Sequence, residues 1–237
     1  MRRSILASFY YIAPLGDQAM IVSFTNEISN EINRLVHWAA EQIIDAQIPA
    51  ITEVVPAFCT LTIHYNPLKV DGEYPFEIVR TKVSDALTDD PSQLQLNKEL
   101  IKIPVCYDLK WGKDLEEVAK YNNLSVDEVV KRHCQKKYLV YFLGFTPGFP
   151  FMGEVDPKIA MPRKNTPRTS IPKGSVGIAG IQTGIYPVSS PGGWQIIGRT
   201  PVDLFNPNNE TPALLKPGYQ VQFFPISENE FINWGED

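Results

Sequence analysis

The sequence predicts an α+β protein, in which a small ferredoxin-like α/β sandwich is followed by a β-barrel. In the first half, apolar residues recur at both helical and strand spacing. In the second half, short apolar stretches alternate with turns, and residues 141–218 hold 12 of the 20 prolines and 11 of the 15 glycines. This density of turn formers excludes a uniformly helical fold and indicates many short strands. A chain of 237 residues is long enough for two small domains.

The N-terminal part reads as strand, helix, strand, strand, helix. A short apolar strand over residues 19–24 precedes an amphipathic helix over 28–43. Two strands over 52–55 and 58–65 follow, and the second alternates apolar and polar residues, so that one face is buried. Pro75 is well placed to begin a second helix. This order matches the ferredoxin-like arrangement.

A polar linker separates the two predicted domains. The acidic, proline-containing break at residues 89–91 ends the second helix, and the linker runs to about residue 97. We therefore place the N-terminal α+β domain at residues 1–97 and the barrel domain at 98–237. The apolar stretch over 101–105 fits either the last strand of the first domain or the first strand of the second.

Two short helices are predicted before the barrel, because two pairs of residues have the spacing of capping boxes. The pairs are Asp114 with Glu117 and Ser125 with Glu128. One interpretation is a helix-turn-helix that reads DNA, and the other, which we favour, is a helical insertion before a barrel. With a formal net charge of −5, the chain lacks the excess of basic residues that is usual in DNA-binding proteins, so we expect no nucleic-acid partner.

Charge is distributed unevenly along the chain. Residues 1–97 carry 6 basic and 12 acidic side chains, whereas residues 140–200 carry six basic residues against Glu154 and Asp156. The glycine- and proline-rich segment is therefore locally positive. Such a zone suits a carboxylate, a phosphate or an acidic partner, although a solvated basic loop explains the charge equally well. The cations that we name as candidate substrate ligands are Arg163, Arg168, Lys173 and Arg199.

The segment over residues 175–187 combines glycines with polar side chains. Glycines let a backbone approach a ligand closely, and Gln182, Thr183 and Tyr186 add donors and acceptors. We therefore predict that these three residues bind substrate, beside an aromatic wall formed by Trp194. The spacing is neither a Walker loop nor a dinucleotide fingerprint. A structural barrel hairpin accounts for this composition as well as a pocket does.

The stretch over residues 144–151 alternates aromatic residues with turn formers. It predicts a hydrophobic contact surface or a loop that plugs the end of the barrel. We expect a partner to contact Phe145, Phe149, Phe151 and Trp194.

No metal site and no self-contained hydrolase site is predicted. His37, His64 and His133 lack metal-ligand spacing, so we expect surface histidines or histidines whose hydrogen bonds are satisfied. The three cysteines are widely spaced without a CxxC, which argues against disulfides and a zinc cage. No serine lies in a GxSxG elbow. The catalytic residues therefore stay unassigned.

The sequence predicts a cytoplasmic protein that does not enter a membrane. No apolar run approaches the roughly 18 residues that a spanning helix needs. Arg2 and Arg3 precede an apolar run that is too short for a signal peptide.

Several of these stretches carry a specific resemblance to a known family, in one order along nearly the whole chain. The motifs are Pro14-Leu-Gly-Asp, Val55-Pro-Ala-Phe, Ile103-Pro-Val-Cys-Tyr, Leu143-Gly-Phe-Thr-Pro-Gly-Phe-Pro-Phe, Met161-Pro-Arg-Lys, Gly174-Ser-Val-Gly-Ile-Ala-Gly, Gln182-Thr-Gly-Ile-Tyr-Pro, Ser190-Pro-Gly-Gly-Trp and Ile197-Gly-Arg-Thr-Pro. With them, the chain resembles the KipI family, also called allophanate hydrolase subunit 1 or PxpB, the B subunit of 5-oxoprolinase.

The resemblance implies that the C-terminal barrel is cyclophilin-like. It also implies that the chain is one component of a bacterial ATP-dependent 5-oxoprolinase, an enzyme that opens 5-oxoproline (pyroglutamate) to glutamate. The implied partners are the KipA-like subunit and the LamB/YcsF-like subunit of that enzyme, and ATP is used by the complex. Other members of the family imply two alternatives, which are inhibition of a sporulation or sensor histidine kinase and a role like that of an allophanate hydrolase component.

Two functional hypotheses follow. In the first, the chain is an enzyme subunit that is inactive alone, because it has no nucleotide loop and no nucleophile–base pair. The four candidate cations would then stabilise a negatively charged intermediate. The side chains of Gln182, Thr183 and Tyr186 would orient the ring of 5-oxoproline. In the second, the chain is a binding module that docks on a kinase through the aromatic stretch over 144–151.

Overall fold

The computed structural model describes residues 10–87 and 99–235. The chain divides into two compact units, one ending at residue 96 and the other beginning at residue 97. The predicted polar linker lies outside the described residues. Each unit is described by itself.

The N-terminal unit is one antiparallel sheet with two helices. Its elements are β1 (Tyr11–Pro14), β2 (Ala19–Ser23), α1 (Asn30–Asp45), β3 (Ile51–Pro56), β4 (Thr60–Tyr65) and α2 (Pro75–Ala86). The strand order is β1-β2-β4-β3, and every neighbouring pair is antiparallel. The predicted order of strand, helix, strand, strand, helix is therefore confirmed as the ferredoxin-like core.

One strand of this sheet was not predicted. β1 pairs with β2, from Tyr11 opposite Ser23 to Pro14 opposite Met20. It occupies the edge that the last strand of a ferredoxin-like fold would take. Its four residues end in a proline, so the stretch is too short for a periodic pattern, and only the pairing with β2 identifies it.

Helix α1 shows why this unit folds as the sequence indicates. The Ser29 side chain accepts a hydrogen bond from the Ile32 N–H at 3.2 Å, which caps the helix. Val36, Ala39 and Ile43 recur at helical spacing, and they are buried in the core of this unit. The alternating strand is confirmed as well, because every second residue of β4 is buried.

The C-terminal unit is a closed barrel with short helices. Its elements are β5 (Leu100–Cys106), α3 (Leu115–Tyr121), α4 (Val126–Gln135), β6 (Tyr138–Leu143), β7 (Pro150–Gly153), β8 (Arg168–Ile171), β9 (Ser175–Ala179), β10 (Gln182–Ile185), β11 (Ser190–Gly192), β12 (Gln195–Arg199), β13 (Gln220–Ile226) and α5 (Glu228–Ile232). The barrel order is β10-β7-β6-β13-β5-β12-β9, and β8 with β11 forms a separate ribbon. The predicted barrel is confirmed.

Strand β5 answers the open question about residues 101–105. It pairs in parallel with β13, which lies at the far end of the chain, and antiparallel with β12. It is therefore a barrel strand. Ile103 and Val105 lie in a core that also buries Leu115 and Val129 from α3 and α4. The two helices thus form an insertion that packs with the barrel core, but they lie between barrel strands β5 and β6 and not before the barrel, as was predicted.

The two predicted capping boxes have different outcomes. Ser125 caps α4, because its side chain accepts from the Glu128 N–H at 3.2 Å. The prediction for Asp114 is wrong, since its side chain makes no capping bond to α3. Instead, the Asp114 carboxylate binds Arg168, which is 54 residues away in sequence. Within the described residues, no helix is both long and apolar enough to cross a membrane.

Candidate functional site

The glycine-rich segment forms the β9–β10 hairpin, and its own aromatic residues fill the space at its glycines. A Cβ atom at Gly184 would lie 3.0 Å from ring atoms of both Phe149 and Trp194. A Cβ atom at Gly177 would lie 3.2 Å from the Trp194 Cβ. These glycines are required by internal packing, which favours the structural hairpin over a cradle for a ligand.

Two glycines with left-handed backbone conformation give a testable contrast. Gly174 has φ of 82° and Gly180 has φ of 59°. A Cβ at Gly174 would overlap the Thr200 carbonyl oxygen, whereas nothing lies within 4 Å of the position at Gly180. We expect Gly174→Ala to lower the free energy of unfolding by about 3 kcal/mol or more, and Gly180→Ala by only about 1–2 kcal/mol. Urea unfolding of both variants measures this difference, and equal losses would contradict it.

An aromatic cluster lies beside this hairpin, with Phe149 at its centre. The Phe149 ring centroid lies 5.1 Å from Tyr186, 5.4 Å from Trp194 and 4.8 Å from Phe151. Phe149 and Trp194 are buried, and Phe151 is half-buried. Of the four predicted partner contacts, only Phe145 presents most of its side chain to solvent, with 65% exposed.

A buried carboxylate lies next to this cluster. Asp114 accepts hydrogen bonds from Arg168 Nη1 at 2.8 Å and Nη2 at 2.6 Å, and from the Ile196 N–H at 2.7 Å. The Lys164 Nζ atom lies 3.0 Å from the same carboxylate. Burial by itself raises the pKa of Asp114, but these partners outweigh it and hold the pKa below its ordinary value. Asp114 is therefore a charged anchor.

Asp114 fixes residues 161–168, which we call the strap. The strap is also held along its length by the Lys164 N–H, which donates to the Gly193 carbonyl at 2.7 Å. The Gln195 side-chain amide donates to the Pro162 carbonyl at 2.9 Å. Lys164 also reaches Glu117 at 2.9 Å. The strap is thus a defined structure whose exposed residues are held in place.

Arg163 lies on the outer side of the strap. Its guanidinium carbon is 5.9 Å from the centroid of the Trp194 ring, and its side chain is exposed. Tyr186 is buried nearby, and this burial raises its pKa to about 12, while the Trp194 backbone N–H, Arg163 and Arg168 oppose that rise. The Tyr186 hydroxyl therefore keeps its proton at neutral pH and can donate a hydrogen bond.

Arg199 and Lys173 are engaged in other contacts. Arg199 Nε donates to the Lys173 carbonyl at 2.8 Å, and its guanidinium lies 5.1 Å from the Trp111 ring centroid. Lys173 Nζ pairs with Asp203 at 2.6 Å. The contacts of the described residues do not connect this pair to Arg163.

Gln182 and Thr183 are neighbours in β10, so their side chains lie on opposite faces of the strand, and Thr183 faces the barrel interior. Both are buried in β10, and Thr183 is fully buried. The Thr183 hydroxyl donates to the Gly177 carbonyl at 3.0 Å and lies 3.0 Å from His133 Nε2. The structure thus brings Thr183 into the barrel core, away from solvent.

His133 stands at the centre of a buried hydrogen-bond chain. Its Nδ1 atom lies 2.7 Å from the Tyr107 hydroxyl, which accepts from the Cys134 thiol at 3.4 Å. Because the Thr183 proton is donated to Gly177, we assign the imidazole proton to Nε2 and let Nδ1 accept from Tyr107. Burial lowers the pKa of His133 to about 3. His133 is therefore neutral, with both ring nitrogens satisfied, as the sequence allowed.

Sequence reasoning missed two of these features. Asp114 had the local appearance of a helix cap, and nothing near it indicates the distant arginine. The chain through Tyr107 and His133 joins residues from a strand end and a helix, and no motif signals it. Among the described residues, no group of three histidine, cysteine or acidic side chains could hold a metal ion.

Comparison with known proteins places this fold in a family. The family described as "Carboxyltransferase domain, subdomain C and D" matches residues 10–215. The chain belongs to this family. It is 46% identical over 234 residues to a protein from Bacillus subtilis (strain 168) that is named as the B subunit of 5-oxoprolinase. That match covers 96% of this chain and 98% of the Bacillus protein.

Two solved structures share the fold. TTHA0988 is 37% identical, with a TM-score of 0.76, and the match covers 89% of this chain but only 40% of that longer one. The Kluyveromyces lactis urea amidolyase has a TM-score of 0.76 at 22% identity, over 96% of this chain and 15% of the enzyme. At that identity, the likeness shows the fold alone.

Proposed function

We propose that this chain serves as the PxpB component of an ATP-dependent 5-oxoprolinase, which opens 5-oxoproline to glutamate. One observation carries the proposal, namely the end-to-end similarity to the B subunit of the Bacillus subtilis 5-oxoprolinase, with 46% identity and 98% of that protein covered. The partners in the proposal are a KipA-like subunit and a LamB/YcsF-like subunit, and the complex is cytoplasmic.

The chemistry explains why several subunits would be needed. The lactam of 5-oxoproline is a stable amide, and ATP supplies the activation that lets water attack its carbonyl carbon. The glycine-rich segment does not fit the phosphates, because Phe149 and Trp194 already fill the space that a phosphate cradle needs. We therefore assign ATP binding to one of the partners, and to this chain the task of holding the substrate.

The predicted substrate ligands divide by their contacts. Three of the cations have internal partners: Arg168 binds Asp114, and Lys173 pairs with Asp203. Arg199 donates to the Lys173 carbonyl and lies over Trp111. Gln182 and Thr183 are buried in β10, away from solvent. Tyr186 is also removed from solvent, with 1% of its surface exposed, whereas Arg163 is exposed and pairs with no acid among the described residues. We place the substrate against Arg163.

Reconstitution tests the proposal. The three purified subunits are mixed with 5-oxoproline and ATP, and glutamate is measured over time. We expect ATP-dependent glutamate release that disappears when this chain is left out, and no release from this chain alone. Undiminished release without this chain would contradict the proposed function.

Inhibition of a histidine kinase is the alternative that the family resemblance implies. Docking on a kinase needs an exposed apolar surface. In the stretch over 144–151, Phe145 is exposed while Phe149 is buried. The enzyme-subunit proposal therefore has the broader support.

A further inference from the structure

The strap carries three cations, and internal acids neutralise two of them. Arg168 binds the Asp114 carboxylate through two nitrogens, at 2.8 and 2.6 Å. Lys164 lies 3.0 Å from Asp114 and 2.9 Å from Glu117. These two cations therefore hold the strap in place, and their charges are already paired.

Arg163 differs from both neighbours. Among residues 10–87 and 99–235, no carboxylate is within ion-pair distance of its guanidinium. It is exposed, and it lies over the Trp194 ring at 5.9 Å. An arginine that rests on an aromatic ring keeps its N–H groups free at the edge of the guanidinium plane, where they can bind a carboxylate with two parallel hydrogen bonds.

The ring beneath Arg163 cannot move freely. Trp194 is 4% exposed, and its centroid lies 5.4 Å from Phe149 and 5.9 Å from Phe151. The Gly193 carbonyl next to Trp194 accepts from the Lys164 N–H, so the backbone on both sides of the Arg163–Trp194 contact is tied together. Arg163 therefore rests on a buried ring that is fixed in place, which preorganises its guanidinium for an anion.

We propose that Arg163 on Trp194 binds the carboxylate of 5-oxoproline, and that Asp114 is the positioning residue that holds Arg163 there through Lys164 and Arg168. The inference rests on the proposed function and names the substrate group that this chain recognises. The substrate matches the site, because it carries one carboxylate for the exposed guanidinium.

Steady-state kinetics of the reconstituted complex test the inference. For Arg163→Met, we expect the KM for 5-oxoproline to rise about 10- to 100-fold, as the loss of a charge-assisted contact predicts, with kcat changed less than about threefold. Arg163→Lys keeps the positive charge but loses the pair of parallel N–H donors, so its KM should lie between that of the wild type and that of Arg163→Met. Lys158→Met is the matched control, because Lys158 is an exposed cation outside the strap. A wild-type KM in Arg163→Met overturns the inference and leaves the proposed function standing.

A binding experiment separates this inference from the proposed function. The indole N–H signal of Trp194 in the intact chain, assigned with Trp194→Phe, is followed by NMR during titration with 5-oxoproline. We expect the signal to shift with 5-oxoproline and to stay unchanged with 2-pyrrolidinone, which lacks the carboxylate, and the shift should be lost in Arg163→Met. Equal responses to both compounds, or no response to 5-oxoproline, overturn the inference even if the reconstituted complex is inactive.

Discussion

Replacement of Asp114 with asparagine is expected to lower the free energy of unfolding by about 3–5 kcal/mol. The variant keeps the shape of the side chain and removes its charge, so that Arg168 and Lys164 lose the carboxylate that both contact in a largely buried site. Urea unfolding measures the loss. Glu116→Gln is the matched control, because Glu116 is an exposed acid two residues further along the chain, and we expect a change below about 0.5 kcal/mol.

The effect of Asp114→Asn should also depend on pH. The pKa of Asp114 in the folded chain lies below the ordinary value of 3.8. Because the folded pKa is lowered, the stabilisation is fully present above the unfolded pKa and is lost as the pH falls through the folded one. The stabilities of the wild type and the variant should therefore differ most at neutral pH and converge below about pH 3.8. A constant difference down to pH 2 would show that Asp114 is not a charged anchor.

Replacement of His133 with alanine is expected to cost about 3–5 kcal/mol in the free energy of unfolding. The substitution opens a cavity where the imidazole stacks on Phe223 at 4.5 Å, and it removes the partner of the Tyr107 and Thr183 hydroxyls. Thr183 supplies a matched pair of controls. Thr183→Ser keeps the hydroxyl and should cost about 1 kcal/mol, whereas Thr183→Val removes it and should cost about 1–3 kcal/mol.

The protonation state of His133 gives an independent check. Since burial lowers its pKa to about 3, its ring nitrogens should give the NMR signals of a neutral, Nε2-protonated imidazole from pH 8 to pH 5. The unfolded chain takes up a proton near the ordinary value of 6.5, so stability should fall as the pH decreases from there towards 3. His133→Ala should lack this part of the pH dependence. An imidazole that titrates near pH 6 would contradict the buried hydrogen-bond chain.

Much of the fold could be predicted because its signals are local. Helix α1 follows from Ser29 and from apolar residues at helical spacing, and β4 follows from strict alternation. The barrel follows from short apolar stretches between turns. By contrast, β1 and the parallel pairing of β5 with β13 could not be predicted, because each depends on a partner strand rather than on its own sequence.

The sequence located the candidate site only as a region, and the contacts within that region could not be predicted. Residues 141–218 stood out for glycine and proline and residues 140–200 for positive charge, and Arg163 and Trp194 lie in contact within both ranges. The charge pattern could not show that Arg168 and Lys164 are neutralised, because their partner Asp114 belongs to another element. Nor could composition distinguish a glycine that admits a ligand from one that accommodates Trp194.

The sequence by itself determined the two-part organisation, the order of most helices and strands, and the motifs of the family, since each is written in neighbouring residues. Tertiary structure alone decided which charges are already paired, which glycines face an aromatic ring, and that His133 is buried and neutral. The physical reason is that these properties depend on distances between groups that are far apart along the chain. Asp114 and Arg168 are 54 residues apart in sequence, yet they form a bidentate ion pair, and that pair leaves Arg163 as the cation of the strap that is free to bind.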